Sequence, residues 1–173
     1  TIQCLDRVFG RERSPEALFA ATSALEQMLS TRGGWQDQVG GVVGGFKLAQ
    51  TPPGSAQLPA VERLAVPTAF ARTIAERSVL YFTGQRRMAK NILENVVWNH
   101  LTHEPRAVEA VAGLRENAPR MRDAIVRGDT ASFAGELDRY MRLKRQIDPG
   151  SSPPMFDALA RRWRRDLAAW CFA

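Results

Sequence analysis

The sequence predicts an α+β fold, and three observations predict it. Short runs rich in valine, glycine and aromatic residues, read as strands, cluster in the first half of the chain. From Gly84 onward the apolar residues recur with a helical period and continue to do so. Nowhere does strand alternate with helix in the sustained way that a doubly wound parallel sheet requires.

Ser14-Pro15-Glu16 opens the first clear helix. It offers a capping hydroxyl, a proline where no backbone N–H is needed, and an acid that the helix dipole favours. Leu18, Leu25, Met28 and Leu29 then form one apolar stripe as far as about Ser30. Glycines dominate from Gly33 to Gly45, and the stretch Val39 to Leu48 reads as a strand in which backbones approach closely. Thr51-Pro52-Pro53-Gly54-Ser55 is a loop. Val61 to Val66 reads as a second strand stopped by Pro67, and Ser78 to Thr83 as the clearest strand, ending at Gly84.

In the helical half, Met88, Ile92, Val96 and Leu101 face one way, with Ala89, Leu93 and Val97 widening the stripe. Pro105 opens the next helix, which Pro119 is expected to kink or divide near Asn117. Gly128 closes it, and Asp129 caps a helix that buries Phe133, Leu137, Tyr140, Met141 and Ile147. After the loop Asp148–Pro153, a last helix starts near Pro154. Its Phe156, Leu159, Trp163, Leu167 and Trp170 form the buried stripe, while Arg161, Arg162, Arg164 and Arg165 fan over the other side.

A length of 173 residues suits one domain, or one domain and part of another. Hydrophobic residues at 45% and charged residues at 24% are ordinary for a chain that builds a core. No apolar run approaches the roughly 20 residues that cross a bilayer, and no basic-then-apolar leader precedes Cys4. The start at Thr1 reads as a trimmed one. Two cysteines, Cys4 and Cys171, are too few for a disulfide scaffold, so a reduced, cytoplasmic location is expected. The net charge is +6, and only three of the 24 basic residues are lysines. Arginine bias fits nucleic acid, an anionic ligand or a GC-rich genome, and composition does not separate these. The arginine-rich last helix is fully explained as an amphipathic helix, so no nucleic acid and no membrane is expected as partner.

The candidate chemistry centres on Gly33-Gly34-Trp35-Gln36-Asp37-Gln38, placed between a helix end and a strand start. A carboxylate between two amides and beside a tryptophan suits a proton acceptor held in orientation, although a solvated turn carboxylate explains the same residues. Glu26 reads as surface charge near the edge of an apolar face. The glycines match neither G-x-G-x-x-G nor a P-loop. His100 and His103 lack the further ligands of a zinc site. Arg86 and Arg87 stand at a helix start, where cations oppose the dipole and an anionic ligand accounts for them.

Leu25-Glu26-Gln27-Met28-Leu29 and Gly33-Gly34-Trp35-Gln36-Asp37-Gln38-Val39-Gly40-Gly41 together resemble the central motif of L-fucokinases, sugar kinases of the GHMP superfamily. Tyr81-Phe82-Thr83-Gly84 with Arg87, Ala89 and Lys90 resembles the same family's strand–helix junction. Leu143-Lys144-Arg145, Ile147-Asp148-Pro149 and Ser151-Ser152-Pro153 continue the likeness over nearly the whole chain. Heptose-phosphate kinases of the superfamily look similar but tend to lack the tryptophan.

The resemblance implies ATP and Mg²⁺ as cofactors. It makes Asp37 the catalytic aspartate acting on the anomeric hydroxyl, and Glu26 a Mg²⁺ ligand. It makes Trp35, Gln36, Gln38 and Arg87 candidate sugar contacts, and Thr83 and Gly84 nucleotide contacts. It implies that residues 1–50 close a GHMP N-terminal domain and that 51–173 form most of a ferredoxin-like, helix-rich C-terminal domain. A pyrophosphorylase fused upstream is a further possibility in this family.

The glycine–serine-rich ATP loop of the family is not found between Thr1 and Glu26, and its final glycine-rich motif is not found before Ala173. The isolated chain is therefore expected to bind no ATP productively. Two alternatives remain open: a kinase for another hexose or for heptose 7-phosphate, and a non-catalytic basic module that binds nucleic acid or a protein.

Overall fold

The computed structural model describes residues 2–28, 34–54, 58–82, 89–148, 154–163 and 165–166, the side chains of 89–94 excepted. They form two compact units, Thr1–Leu64 and Ala65–Ala173. Among the described residues the structure is helix-rich with one small antiparallel sheet, which is compatible with an α+β fold.

The first unit holds α1 (Ile2–Val8), α2 (Pro15–Met28), α3 (Gln36–Val42), β1 (Lys47–Gln50) and β2 (Ala60–Arg63). Between α1 and α2 the chain turns around Asp6, which is buried. Its carboxylate accepts from Arg13 Nε at 2.6 Å, and its carbonyl accepts from the Arg11 amide at 2.7 Å. Ser14 starts α2 as the sequence suggests, its hydroxyl accepting from the Ala17 amide at 3.2 Å. The Glu16 carboxyl is held below its usual range by hydrogen bonds from its own backbone amide and from Ser14.

The core of this unit is Phe19 from α2 against Val39 of α3 and Val43 at its C-terminal cap, with Trp35, Val42, Ala49 and Val61 packed around them. Strand β1 pairs with β2 in antiparallel register, Lys47 opposite Arg63 and Gln50 opposite Ala60.

The expected strand from Val39 to Leu48 is overturned: its first part is helix α3, and only Lys47 onward is strand. Valine and glycine suggested a pleated segment by composition, but spacing wins. Trp35, Val39 and Val43 recur every four residues and dock as one helical stripe against Phe19. The expected close backbone approach is absent too, since a Cβ at Gly40, Gly41 or Gly44 would meet nothing within 4 Å. Gly45 alone among these needs its freedom, at φ +78°. The second strand is real but shorter than read, ending at Arg63, with the Leu64 amide bonded to the Phe46 carbonyl at 3.0 Å.

The second unit contains α4 (Thr68–Arg77), α5 (Ala89–Leu101), α6 (Pro105–Arg127), α7 (Thr130–Ile147) and α8 (Pro154–Trp163). Its centre is the antiparallel pair α6 and α7. Ala107, Ala110 and Ala124 are fully buried on α6, and Gly113 lets Leu143 of α7 come so close that a Cβ would lie 2.8 Å from its methyl group.

The closing glycine and the next cap match the sequence reading: Gly128 turns left-handed at φ +71° and Asp129 accepts from the Ser132 amide at 2.9 Å. The start of α6, read from Pro105, is capped by Glu104, which accepts from the Ala107 amide at 2.6 Å. Asn117 is buried and donates to Glu136 of α7, at 3.0 Å to its carbonyl and 2.6 Å to its carboxylate. Phe70 of α4 meets Phe133 of α7 edge to face at 5.6 Å. Asn99 ties α5 to the end of α7 through the Ile147 carbonyl at 3.1 Å.

Pro119 does not divide its helix, because α6 runs unbroken through it. Helix α4 went unread, although Phe70 and Ile74 stand four apart behind Pro67. Ser78 to Phe82, the clearest strand by pattern, forms no strand, and Val79, Leu80, Tyr81 and Phe82 are all exposed. A strand needs a neighbour for its backbone groups, and the described residues of this unit contain no other strand. Leu101 and Val97 are exposed rather than buried. Trp163 is 38% exposed and meets Tyr81 edge to face at 5.8 Å, while Leu167, Trp170 and Arg164 lie outside the described residues.

Candidate functional site

The candidate residues of the first unit lie at the start of α3 and near the end of α2. Helix α3 forms because Trp35, Val39 and Val43 share a face that buries against Phe19. On the opposite side stand Asp37, Gly40, Gly41 and Gly44, all exposed. Asp37 is thus not on a loop, as its sequence position suggested, but in the first turn of a helix, where the dipole favours its charge. Its carboxylate enters no ion pair or side-chain hydrogen bond among the described residues, so it is free to engage an outside group.

Its neighbours divide. Gln36 is exposed, whereas Trp35 is half-buried and packs against the Phe19 core. Gln38 is 5% exposed, and neither its Nε2 nor its Oε1 has a hydrogen-bond partner among the described residues. A buried amide left unpaired costs about 1–3 kcal/mol. No local sequence signal marks Gln38 as buried, because polar residues beside a carboxylate read as surface. Neither amide is bonded to Asp37 among the described residues, so the orienting role that composition suggested for them has no hydrogen bond behind it here.

Glu26 lies near the end of α2, half-buried and engaged in interactions of its own. Helices α2 and α3 pack together in this unit. Among the described residues no group of three or more His, Cys, Asp or Glu is placed to hold a metal ion. That does not speak against Glu26, because Mg²⁺ in phosphoryl-transfer sites takes one or two carboxylates and completes its shell with phosphates and water.

Two clefts of this unit run along α1. One, of about 240 Å³, is lined by Gln3, Asp6, Arg7, Arg11, Arg13 and neighbours. The other, of about 410 Å³, is apolar, with Leu5, Phe9, Leu25 and Met28 on its walls. Neither lining includes Asp37 or Glu26. Thr83, Gly84 and Arg87 lie outside the described residues. The structure therefore brings the Asp37 turn and the end of α2 into one unit and leaves Asp37 open to solvent. No helix among the described residues is long and apolar enough to cross a membrane.

Comparison with known proteins extends the resemblance carried by the Trp35–Asp37 motif. The chain is 35% identical over 138 residues to the L-fucokinase/L-fucose-1-P guanylyltransferase of Bacteroides fragilis, covering 80% of this chain and 14% of that protein. It is 30% identical over 159 residues to the bifunctional fucokinase/GDP-fucose pyrophosphorylase of Arabidopsis thaliana, covering 91% of this chain and 15% of the relative. A D-glycero-α-D-manno-heptose 7-phosphate kinase of Campylobacter jejuni is 30% identical over 115 residues, 66% of this chain and 33% of that kinase. No protein-family model matches the chain. The chain is homologous to sugar kinases, with likeness to a bacterial and a plant fucokinase over most of its length, and it spans about one seventh of each of those two proteins.

Proposed function

We propose that this chain is a segment of an L-fucokinase of the GHMP type, an enzyme that transfers the terminal phosphoryl group of ATP to the anomeric hydroxyl of L-fucose. The likeness to two fucokinases over 80% and 91% of the chain carries the reading. The exposed, unpaired carboxylate of Asp37 supplies the chemical group it needs. In this reading residues 1–50 end the N-terminal domain and 51–173 belong to the ferredoxin-like C-terminal domain. Cytoplasmic location and a pyrophosphorylase fused upstream are parts of the same proposal, the Arabidopsis relative being named a bifunctional fucokinase/GDP-fucose pyrophosphorylase.

Phosphoryl transfer is mostly a matter of placement and charge neutralisation. Asp37 accepts the proton of the anomeric hydroxyl, or holds that hydroxyl by a hydrogen bond in line with the phosphate. Its place in the first turn of α3 leaves the carboxylate exposed, as a group that meets an incoming hydroxyl must be. Glu26 is the residue of this chain that would hold Mg²⁺, whose contribution when bound is to neutralise phosphate charge. Trp35 and Gln36 would face the sugar from the same turn, with Arg87 as a further sugar contact and Thr83 and Gly84 as nucleotide contacts, while Gln38, expected from the resemblance to touch the sugar, is buried and would act from behind that turn.

The test uses the full-length kinase that contains these residues. Asp37→Asn should lower kcat by about 10²–10⁴-fold, the usual share of a positioned acid or base, while the circular dichroism spectrum stays unchanged. A near-normal rate in the variant sinks the assignment of Asp37. A panel of L-fucose, other hexoses and heptose 7-phosphate assigns the substrate. The likeness to the heptose 7-phosphate kinase over 66% of the chain makes that sugar the second reading.

A further inference from the structure

Gln38 is buried at 5% exposure with a carboxamide that finds no hydrogen-bond partner among the described residues. A methionine has nearly the same length and volume and carries no such unpaired groups, so packing alone favours it. The helix around Gln38 is under-stabilised in two other ways. No side chain caps its N-terminus. Its body carries Gly40 and Gly41, where a Cβ would meet nothing within 4 Å and alanine is the better helix former. Three choices in one seven-residue helix thus all run against stability, and they surround the turn that carries Asp37. Local rules broken together without a structural gain mark an element kept for function.

We propose that Gln38 is a positioning residue for Asp37, and that α3 has a second seating in which its carboxamide is hydrogen-bonded. In that seating the first turn presents the Asp37 carboxylate to the bound sugar. The seating described here leaves the carboxamide unpaired and α3 held only by its apolar stripe. Substrate favours the second seating to the extent that it binds it more tightly. This inference rests on the reading of Asp37 given above, and adds the residue that sets when Asp37 is in place.

The deciding variant is Gln38→Met. In the 173-residue chain it should raise the melting temperature and slow hydrogen exchange of the α3 amides by about tenfold, the mark of a helix no longer held at a cost. In the full-length kinase it should lower kcat by about tenfold or more, with KM for the sugar changed by less than about twofold, because binding is kept and alignment is lost. A lower melting temperature would show that the carboxamide is already paired in the resting fold, and would overturn the proposal. So would an unchanged kcat. If the wild-type kinase phosphorylates no sugar, the reading of Asp37 falls. Melting and exchange then decide Gln38 alone: slower exchange supports the second seating, and unchanged exchange rejects it.

Discussion

At the scale of single residues, stability and chemistry fall on different positions. Asp37 is exposed and unpaired among the described residues, so its loss removes a reactive group without opening a hole in the fold. Gly128 is the opposite case. It closes α6 at φ +71°, and its amide bonds back to the Ala124 and Ile125 carbonyls. A Cβ there would stand 3.3 Å from the rigid ring of Pro67. Gly128→Ala should therefore destabilise by about 1–2 kcal/mol, the cost of a side chain in the left-handed region. Thermal unfolding of the chain checks this, and a melting temperature equal to wild type would show that the turn yields more easily than its geometry implies. Gly40→Ala should go the other way and be neutral or stabilising, since α3 offers open space at that position.

At the scale of elements, caps and apolar spacing were legible in the sequence and strand pairing was not. The starts of α2, α6 and α7 and the end of α6 could be read from Ser14, Pro105, Asp129 and Gly128, because capping is a contract between near neighbours. Val39–Val43 and Ser78–Phe82 were misread because β-branched and aromatic content reports a preference for burial as much as for a pleated backbone. Position then decides: the first docks as a helix on Phe19, and the second has no strand beside it among the described residues. The same limit hid Gln38, whose burial depends on how α3 packs rather than on any neighbour in sequence. Asp129 allows a test at this scale. Hydrogen bonds from the Ser132 hydroxyl and amide hold its carboxyl below the usual aspartate range. A carboxyl whose folded pKa is depressed stabilises above its unfolded pKa, about 3.9, and loses that contribution as pH falls through the lower, folded value. Asp129→Ala should thus melt below wild type at pH 7, and the gap should close in strong acid. A gap that stays constant across that range would assign the effect to something other than the ionised cap.

At the scale of the whole molecule, the question is what 173 residues can do by themselves. A kinase must hold a nucleotide's phosphates, a metal and an acceptor hydroxyl in line, and backbone amides of a glycine-rich loop ordinarily cradle the phosphates. Between Thr1 and Glu26 the glycine supply is Gly10 alone, and α1 and α2 occupy most of that stretch, leaving no glycine-rich loop there. The clefts along α1 do not include Asp37 or Glu26 in their linings. The two fucokinase relatives are about seven times as long as the part this chain matches. The isolated chain should therefore fold into its two units yet show no saturable ATP binding by calorimetry and no ATP-dependent phosphorylation of L-fucose, whereas the full-length protein, on the reading proposed above, should show both. Salt provides the control for the basic surface: net charge of +6 with exposed Arg161, Arg162 and Arg165 attracts polyanions weakly and without specificity. Any retention of nucleotide by the isolated chain should accordingly vanish between low and physiological salt, as counterion-driven contacts do. Saturable ATP binding that survives physiological salt, or turnover by the chain alone, would mean that Asp37 already stands in a finished site and that the phosphates are held by groups other than a glycine-rich loop.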